Sequence, residues 1–180
     1  MPGEKTLFRK IQVVLEYAKD EKHDDDITLT EYMLKQNPTN FVYYWHDSIT
    51  DAVNFGYSEK SIKSTIELCC DLGLLSKGSC ELTKVGLNAT DPRRFSTILG
   101  KRACDLLERL DVPISSIRRA ISQVLREPDP VPPTASEISA RLDIGKDGIT
   151  PLKFNRLMNL LGQCEVLRMT QKRVFFPTSG

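Results

Sequence analysis

The stretch from Pro113 to Pro177, PISSIRRAISQVLREPDPVPPTASEISARLDIGKDGITPLKFNRLMNLLGQCEVLRMTQKRVFFP, has a start or stop signal at every change of its periodicity. Ile114, Ile117, Ile121, Val124 and Leu125 recur at three- and four-residue steps, which places them on one face of a first helix and leaves Arg118, Arg119 and Arg126 off it. The run Glu127 to Pro133 cannot continue that helix, because proline lacks the amide donor and restricts the residue before it. Thr134-Ala-Ser-Glu137 then matches a capping box, and Ala135, Ile138 and Leu142 supply the stripe of a short second helix. Two glycines within Asp143 to Gly148 suit its end and the turn beyond.

Thr150-Pro151 opens a third helix, the hydroxyl as cap and the proline where its missing amide costs nothing. Leu152, Leu157, Leu160, Leu161 and Cys164 are expected to face the core. Lys153, Asn155, Arg156, Asn159 and Gln163 are then left for the opposite side. Those residue types suit DNA: Lys and Arg neutralise phosphates and bond guanine edges, and Asn and Gln pair bidentately with adenine. An ordinary solvated helix face has the same look. The neighbouring context favours the former, since Val166 to Thr170 and Val174 to Phe176 read as a hairpin joined at Gln171-Lys172 and made basic by Arg168, Lys172 and Arg173.

Three helices followed by a basic hairpin resemble the winged-helix branch of the helix-turn-helix superfamily. The likeness is architectural and points to no single family. It implies that the helix from Thr150 enters the major groove of double-stranded DNA and that the hairpin is a wing resting on the backbone or minor groove.

Residues 1–90 read as a second, larger unit of the same kind. Leu7, Phe8, Ile11, Val14, Leu15 and Ala18 mark a first helix, ended by the charged segment Asp20 to Asp26. Ile27 to Leu29 is expected as a short strand, with Thr30 capping a brief helix to Gln36. Residues 37–46 form an aromatic insertion without a simple period, followed by a helix through Ile49, Ala52 and Val53 that ends at Gly56. Ser58 caps a helix carrying Ile62, Ile66, Cys69, Cys70 and Leu72 inward. Its outward residues Glu59, Lys60, Lys63, Ser64 and Glu67 make a mixed face in which Lys60, Lys63 and Ser64 are the DNA candidates. Leu74 to Leu82 reads as a short hairpin, and Leu82 to Gly86 as the strand that closes the unit.

Between the two units, residues 91–112 are expected to form a linking helix capped by Asp91-Pro92, its apolar side made of Phe95, Ile98, Leu99, Ala103, Leu106, Leu107 and Leu110. Residues 113–180 form the second unit. The expected fold class is therefore mainly α with short β-hairpins, two tandem winged-helix domains joined by a helix.

Charge tempers the DNA reading. The chain of 180 residues has 25 basic and 24 acidic side chains, a net of +1, whereas a dedicated DNA binder is often clearly basic. The distribution helps: the balance is −4 over residues 1–56, +1 over 57–113 and +4 over 114–180, so phosphate contact falls to the carboxyl-terminal unit.

Other classes find little support. No apolar run approaches the length of a membrane span, and Met1 to Lys10 lacks a signal peptide's apolar region, so a cytoplasmic or, in a eukaryote, nuclear protein is expected. His23 and His46 have no nucleophile context, and Asp24 to Asp26 lacks the further ligands a nuclease metal site needs. There is no glycine-rich phosphate loop, so neither an enzyme nor a bound cofactor is expected. The five cysteines, Cys69, Cys70, Cys80, Cys104 and Cys164, sit mostly on apolar faces and read as reduced core thiols. A metal or redox site built from Cys69, Cys70, Cys80 and Cys104 is the alternative, without a zinc-like spacing. Two functional classes remain: a transcriptional regulator or recognition segment of a larger DNA-processing protein, and a scaffold whose winged helices meet a protein partner or a second copy of the chain.

Overall fold

The computed structural model describes residues 6–20, 28–37, 41–46, 49–54, 58–145, 148–170 and 174–176. Among them are eight helices and two small antiparallel sheets, and the chain divides into two compact units, Met1–Phe95 and Ser96–Gly180. The chain is mainly helical, and no described helix is long and apolar enough to cross a membrane.

In the first unit, α1 (Thr6–Lys19) buries Ile11, Val14, Leu15 and Ala18 as its periodicity requires, and packs on α2 (Leu29–Gln36) and α3 (Ser58–Asp71). The start of α2 differs from expectation. Thr28, in extended backbone, is the cap and accepts the Glu31 amide at 3.3 Å, so Leu29 opens a helix and not the end of a strand. Thr30 is buried inside the helix, and Ile27 lies outside the described residues. At the other end, buried Asn37 donates from one amide nitrogen to the Tyr17 hydroxyl at 2.7 Å and to the Met33 carbonyl at 2.8 Å. That pair of bonds ties the end of α2 to α1, beside an edge-to-face contact of Tyr17 and Tyr32.

The segment after α2 is where local reading fails. Phe41–His46 is strand β1 and Ile49–Asn54 is strand β2, paired antiparallel from Phe41↔Asn54 to His46↔Ile49. The expected helix through Ile49, Ala52 and Val53 is thus a strand. Five consecutive aromatic or β-branched residues, Phe41 to Trp45, suit a pleated surface, and pairing along the whole strand overrides the weak helical spacing opposite.

Helix α3 begins at Ser58 and ends in a left-handed Gly73 (φ +73°), with the Leu74 amide returning to the Cys69 carbonyl at 2.9 Å. The hairpin expected over Leu74 to Leu82 reduces to a single antiparallel bridge, Leu75↔Leu82. Beyond it, Thr83 does not prolong a strand. Its hydroxyl accepts the Gly86 amide at 3.0 Å and donates to the Gly73 carbonyl at 2.6 Å, so it caps α4 (Lys84–Ala89) and fastens that helix to the turn after α3.

Helix α5 runs Pro92–Arg109, and the boundary between the units falls inside its first turn, after Phe95. Phe95 meets Phe8 edge-to-face at 4.6 Å within the first unit. From Ser96 onward α5 belongs to the second unit, where Leu99, Ala103, Leu106 and Leu107 are buried and Ile98 and Leu110 only half so. Gly100 permits the close approach there: a Cβ on it would lie 2.8 Å from Val166 Cγ2.

The second unit follows the expected order closely. Helix α6 (Ile114–Val124) buries Ile117, Ala120, Ile121 and Val124. Helix α7 (Ala135–Arg141) starts with the full capping box of Thr134 and Glu137, and α8 (Pro151–Gln163) with Thr150 accepting the Lys153 amide at 3.2 Å. Strands β3 (Arg168–Met169) and β4 (Phe175–Phe176) pair antiparallel, and Gln171, Lys172 and Arg173, expected as their connection, lie outside the described residues. The proline-rich connector before α7 does more than stop a helix. Thr134 bridges Val174, and the Phe175 amide donates to the Pro133 carbonyl at 2.9 Å, so the connector runs alongside the hairpin as a third extended segment. Phe175, fully buried, anchors that edge.

Candidate nucleic-acid interface

Position on α8 decides which side chains can meet a ligand. Its buried stripe is Phe154, Leu157, Met158, Leu160 and Leu161. Leu152, expected in the core, is instead 72% exposed, and Cys164, also expected there, is half-buried just past the helix end. The reason is phase: spacing from Phe154 to Leu157, Met158 and Leu161 defines the inner face, and Leu152 falls opposite it. Steps of four, three and four residues put Leu152, Arg156, Asn159 and Gln163 on one outer meridian. Lys153 and Asn155 flank it.

The five polar candidates on α8, Lys153, Asn155, Arg156, Asn159 and Gln163, are all half-buried. They are neither packed inside nor fully solvated. Asn155 shows why, since its amide nitrogen lies 3.5 Å from the Ser136 hydroxyl at the start of α7, while its Oδ1 is buried with no hydrogen-bond partner. Packing of α7 on α8 covers that flank, and on the outer meridian Leu152 is exposed while Arg156, Asn159 and Gln163 are half-buried, Gln163 Oε1 fully so. The turn that delivers α8 depends on Gly145 (φ +107°) and Gly148 (φ +86°).

On the hairpin, Arg168 is exposed and its guanidinium carbon lies 5.4 Å above the ring of Phe176, its cross-strand partner. A cation over an aromatic face is held in place without losing its charge, which contributes about 0.5–1 kcal/mol at an exposed position. Lys172 and Arg173 lie outside the described residues. Arg168 is thus the candidate whose place on the hairpin is defined.

The corresponding face of α3 differs in kind. Lys60 and Lys63 are exposed and Ser64 is half-buried, but Lys63 pairs with Glu59 one turn away at 3.0 Å, and exposed Glu67 extends the alternation of sign. Such a face has little net attraction for phosphate. The structure therefore brings Leu152, Arg156, Asn159 and Gln163 together on α8 and leaves Lys60, Lys63 and Ser64 in the other unit.

Arg93 hydrogen-bonds the Asp91 carboxylate and holds it below its ordinary range, at the start of α5. Burial pushes the Cys104 thiol up against a partly offsetting Arg118. Among the described residues no group of three or more His, Cys, Asp or Glu side chains could hold a metal ion. No protein-family model, no curated protein and no solved structure matches this chain.

Proposed function

We propose that the chain is a winged-helix DNA-binding protein, a transcriptional regulator or the recognition segment of a larger DNA-processing protein. Helix α8 lies in the major groove and the β3–β4 hairpin is the wing. The observation that carries this reading is the Thr134↔Val174 bridge: it sews the hairpin directly after α8 to the strand-like connector before α7, giving the order helix, strand, helix, helix, strand, strand. The first unit repeats the order in looser form, with α1, α2, α3 and the Leu75↔Leu82 bridge, and the β1–β2 hairpin inserted before its third helix.

On this reading Arg156, Asn159 and Gln163 read base edges, Leu152 meets a thymine methyl, and Lys153, Arg168, Lys172 and Arg173 serve phosphates. The test is anisotropy titration of a labelled duplex chosen from a random pool. Replacing Arg156 and Asn159 by Ala weakens binding by about 1–3 kcal/mol per lost base contact, whereas Lys172→Ala weakens all duplexes alike and lowers the log–log salt slope by about 0.9. Equal binding by the double variant at moderate salt would sink the groove assignment.

One observation favours the scaffold reading instead. Leu152 at 72% and Val131 at 69% are large apolar side chains left exposed in the same unit. In that case nuclease-treated extract yields a stoichiometric protein partner, and Val131→Asp, outside the α8 face, abolishes its retention without changing duplex binding.

A further inference from the structure

Cys69 and Cys70 are neighbours in sequence but not in surroundings. Cys69 is fully buried in the core of the first unit, whereas Cys70 turns away from it and is half-buried at the end of α3. The chain then reverses through Gly73 and returns, so that Cys80 comes back over the same spot. The carbonyl of Ser76 marks the meeting: Cys70 Sγ lies 3.9 Å from it, and the Cys80 amide donates to it at 3.0 Å. The Cys80 side chain is near enough to add to the burial that raises the Cys70 thiol.

Cys80 also stands in an unfavourable backbone. Its φ is +57°, the left-handed region that glycine, asparagine and aspartate tolerate and a cysteine does not favour. Among the described residues, three of the other four non-glycine positions with positive φ, Asp111, Asp129 and Asp143, are of the tolerant type. No turn chemistry calls for cysteine at position 80. The turn it forms brings Cys80 to the same Ser76 carbonyl that Cys70 Sγ approaches.

We propose that Cys70 and Cys80 form a redox modification site, a dithiol that a small-molecule disulfide converts to an intramolecular disulfide bridging the end of α3 and the Leu75–Leu82 loop. Cys80 loses its proton and its thiolate attacks one sulfur of the oxidant, whose S–S bond breaks and releases a thiol. Cys70 then loses its proton and attacks Cys80 Sγ, closing the Cys70–Cys80 bond and expelling the second oxidant thiol. The protein gives up two electrons and two protons, and the oxidant gains them. The order follows from environment: burial first, and then the neighbouring Cys80, push the Cys70 thiol up to about 11, which keeps it protonated while Cys80 reacts.

The experiment places the full chain in buffers of reduced and oxidised glutathione, quenches with an alkylating agent, and maps tryptic peptides by mass spectrometry. Expected is one crosslink joining the peptide of residues 64–77 to that of residues 78–84, lighter by two hydrogens, with fragment ions assigning it to Cys70 and Cys69 alkylated. In Cys70→Ser the glutathione adduct stays on Cys80. Separate adducts on Cys70 and Cys80 in the parent, a crosslink through Cys69, or a crosslink seen only in urea would each overturn the proposal, and absence of an adduct in Cys70→Ser would overturn the order of attack.

Discussion

Gly86 is the position where one methyl group has the most defined consequence. A Cβ added there would lie 1.9 Å from the Leu74 carbonyl oxygen, 2.9 Å from its carbonyl carbon and 3.2 Å from Leu82 Cδ2. Two of those three atoms are backbone and cannot swing aside. Since non-bonded atoms settle near 3.5 Å, helix α4 must retreat by roughly 1.5 Å. That retreat pulls Thr83 from the turn it is bonded to, through its hydroxyl to Gly73 O at 2.6 Å and its amide to Leu74 O at 3.1 Å. Overpacking of this kind costs about 1–3 kcal/mol, and each weakened hydrogen bond about 1 kcal/mol. Alanine returns about 1 kcal/mol of helix propensity. The net expectation for Gly86→Ala is a loss of about 2–4 kcal/mol, read as a lower urea midpoint by circular dichroism. Gly162→Ala is the milder comparison: the three atoms nearest its Cβ, at 2.8–2.9 Å, all belong to the Met169 side chain, of which Sδ and Cε can swing aside and Cβ cannot, so overpacking less the gain in helix propensity leaves a loss of about 0–2 kcal/mol. A Gly86→Ala protein as stable as its parent would refute the packing of α4 on the Gly73–Leu74 turn.

Three further outcomes are expected. Asn37→Ala strands the Tyr17 hydroxyl and the end of α2 without their partner and lowers stability by about 1–3 kcal/mol in the same urea assay. Phe175→Ala removes a fully buried ring that anchors the β3–β4 hairpin and costs about 3–5 kcal/mol in that assay. Alkaline pH weakens the fold: the Cys70 thiol is raised from 9.0 to about 11, so its contribution is whole below pH 9 and is lost as pH rises towards 11, because the unfolded chain ionises first. Tyr17 and Tyr32, both raised above 10.0 chiefly by burial, act in the same direction at still higher pH. Urea midpoints measured from about pH 8 to about pH 11 check this, and Cys70→Ser should flatten the first part of the decline.

What could be read from the sequence was what local chemistry decides. Thr134 with Glu137, and Thr150 with Pro151, begin helices in the structure because a cap involves residues three apart and needs no tertiary partner. Leu152 was misplaced because the periodicity was counted from the first leucine, although Phe154 and Met158 set the inner face. The β1–β2 hairpin was hidden by the lack of alternation in an almost wholly aromatic run, and Thr83 by the assumption that a bridge at Leu82 continues as a strand. Two contacts had no local signal at all. The Thr134↔Val174 bridge joins residues on either side of two helices, and the meeting of Cys70 with Cys80 depends on a reversal at Gly73. The α8 candidates were legible as residue types; their half-burial was not.

The central claim is tested most directly by titrating the isotope-labelled chain with a short selected duplex and following backbone and side-chain amide shifts. Expected are saturable changes at Leu152, Arg156, Asn159 and Gln163 on α8 and at Arg168 on the hairpin, reduced by added salt. Changes confined to the first unit, or none at stoichiometric duplex, would contradict it.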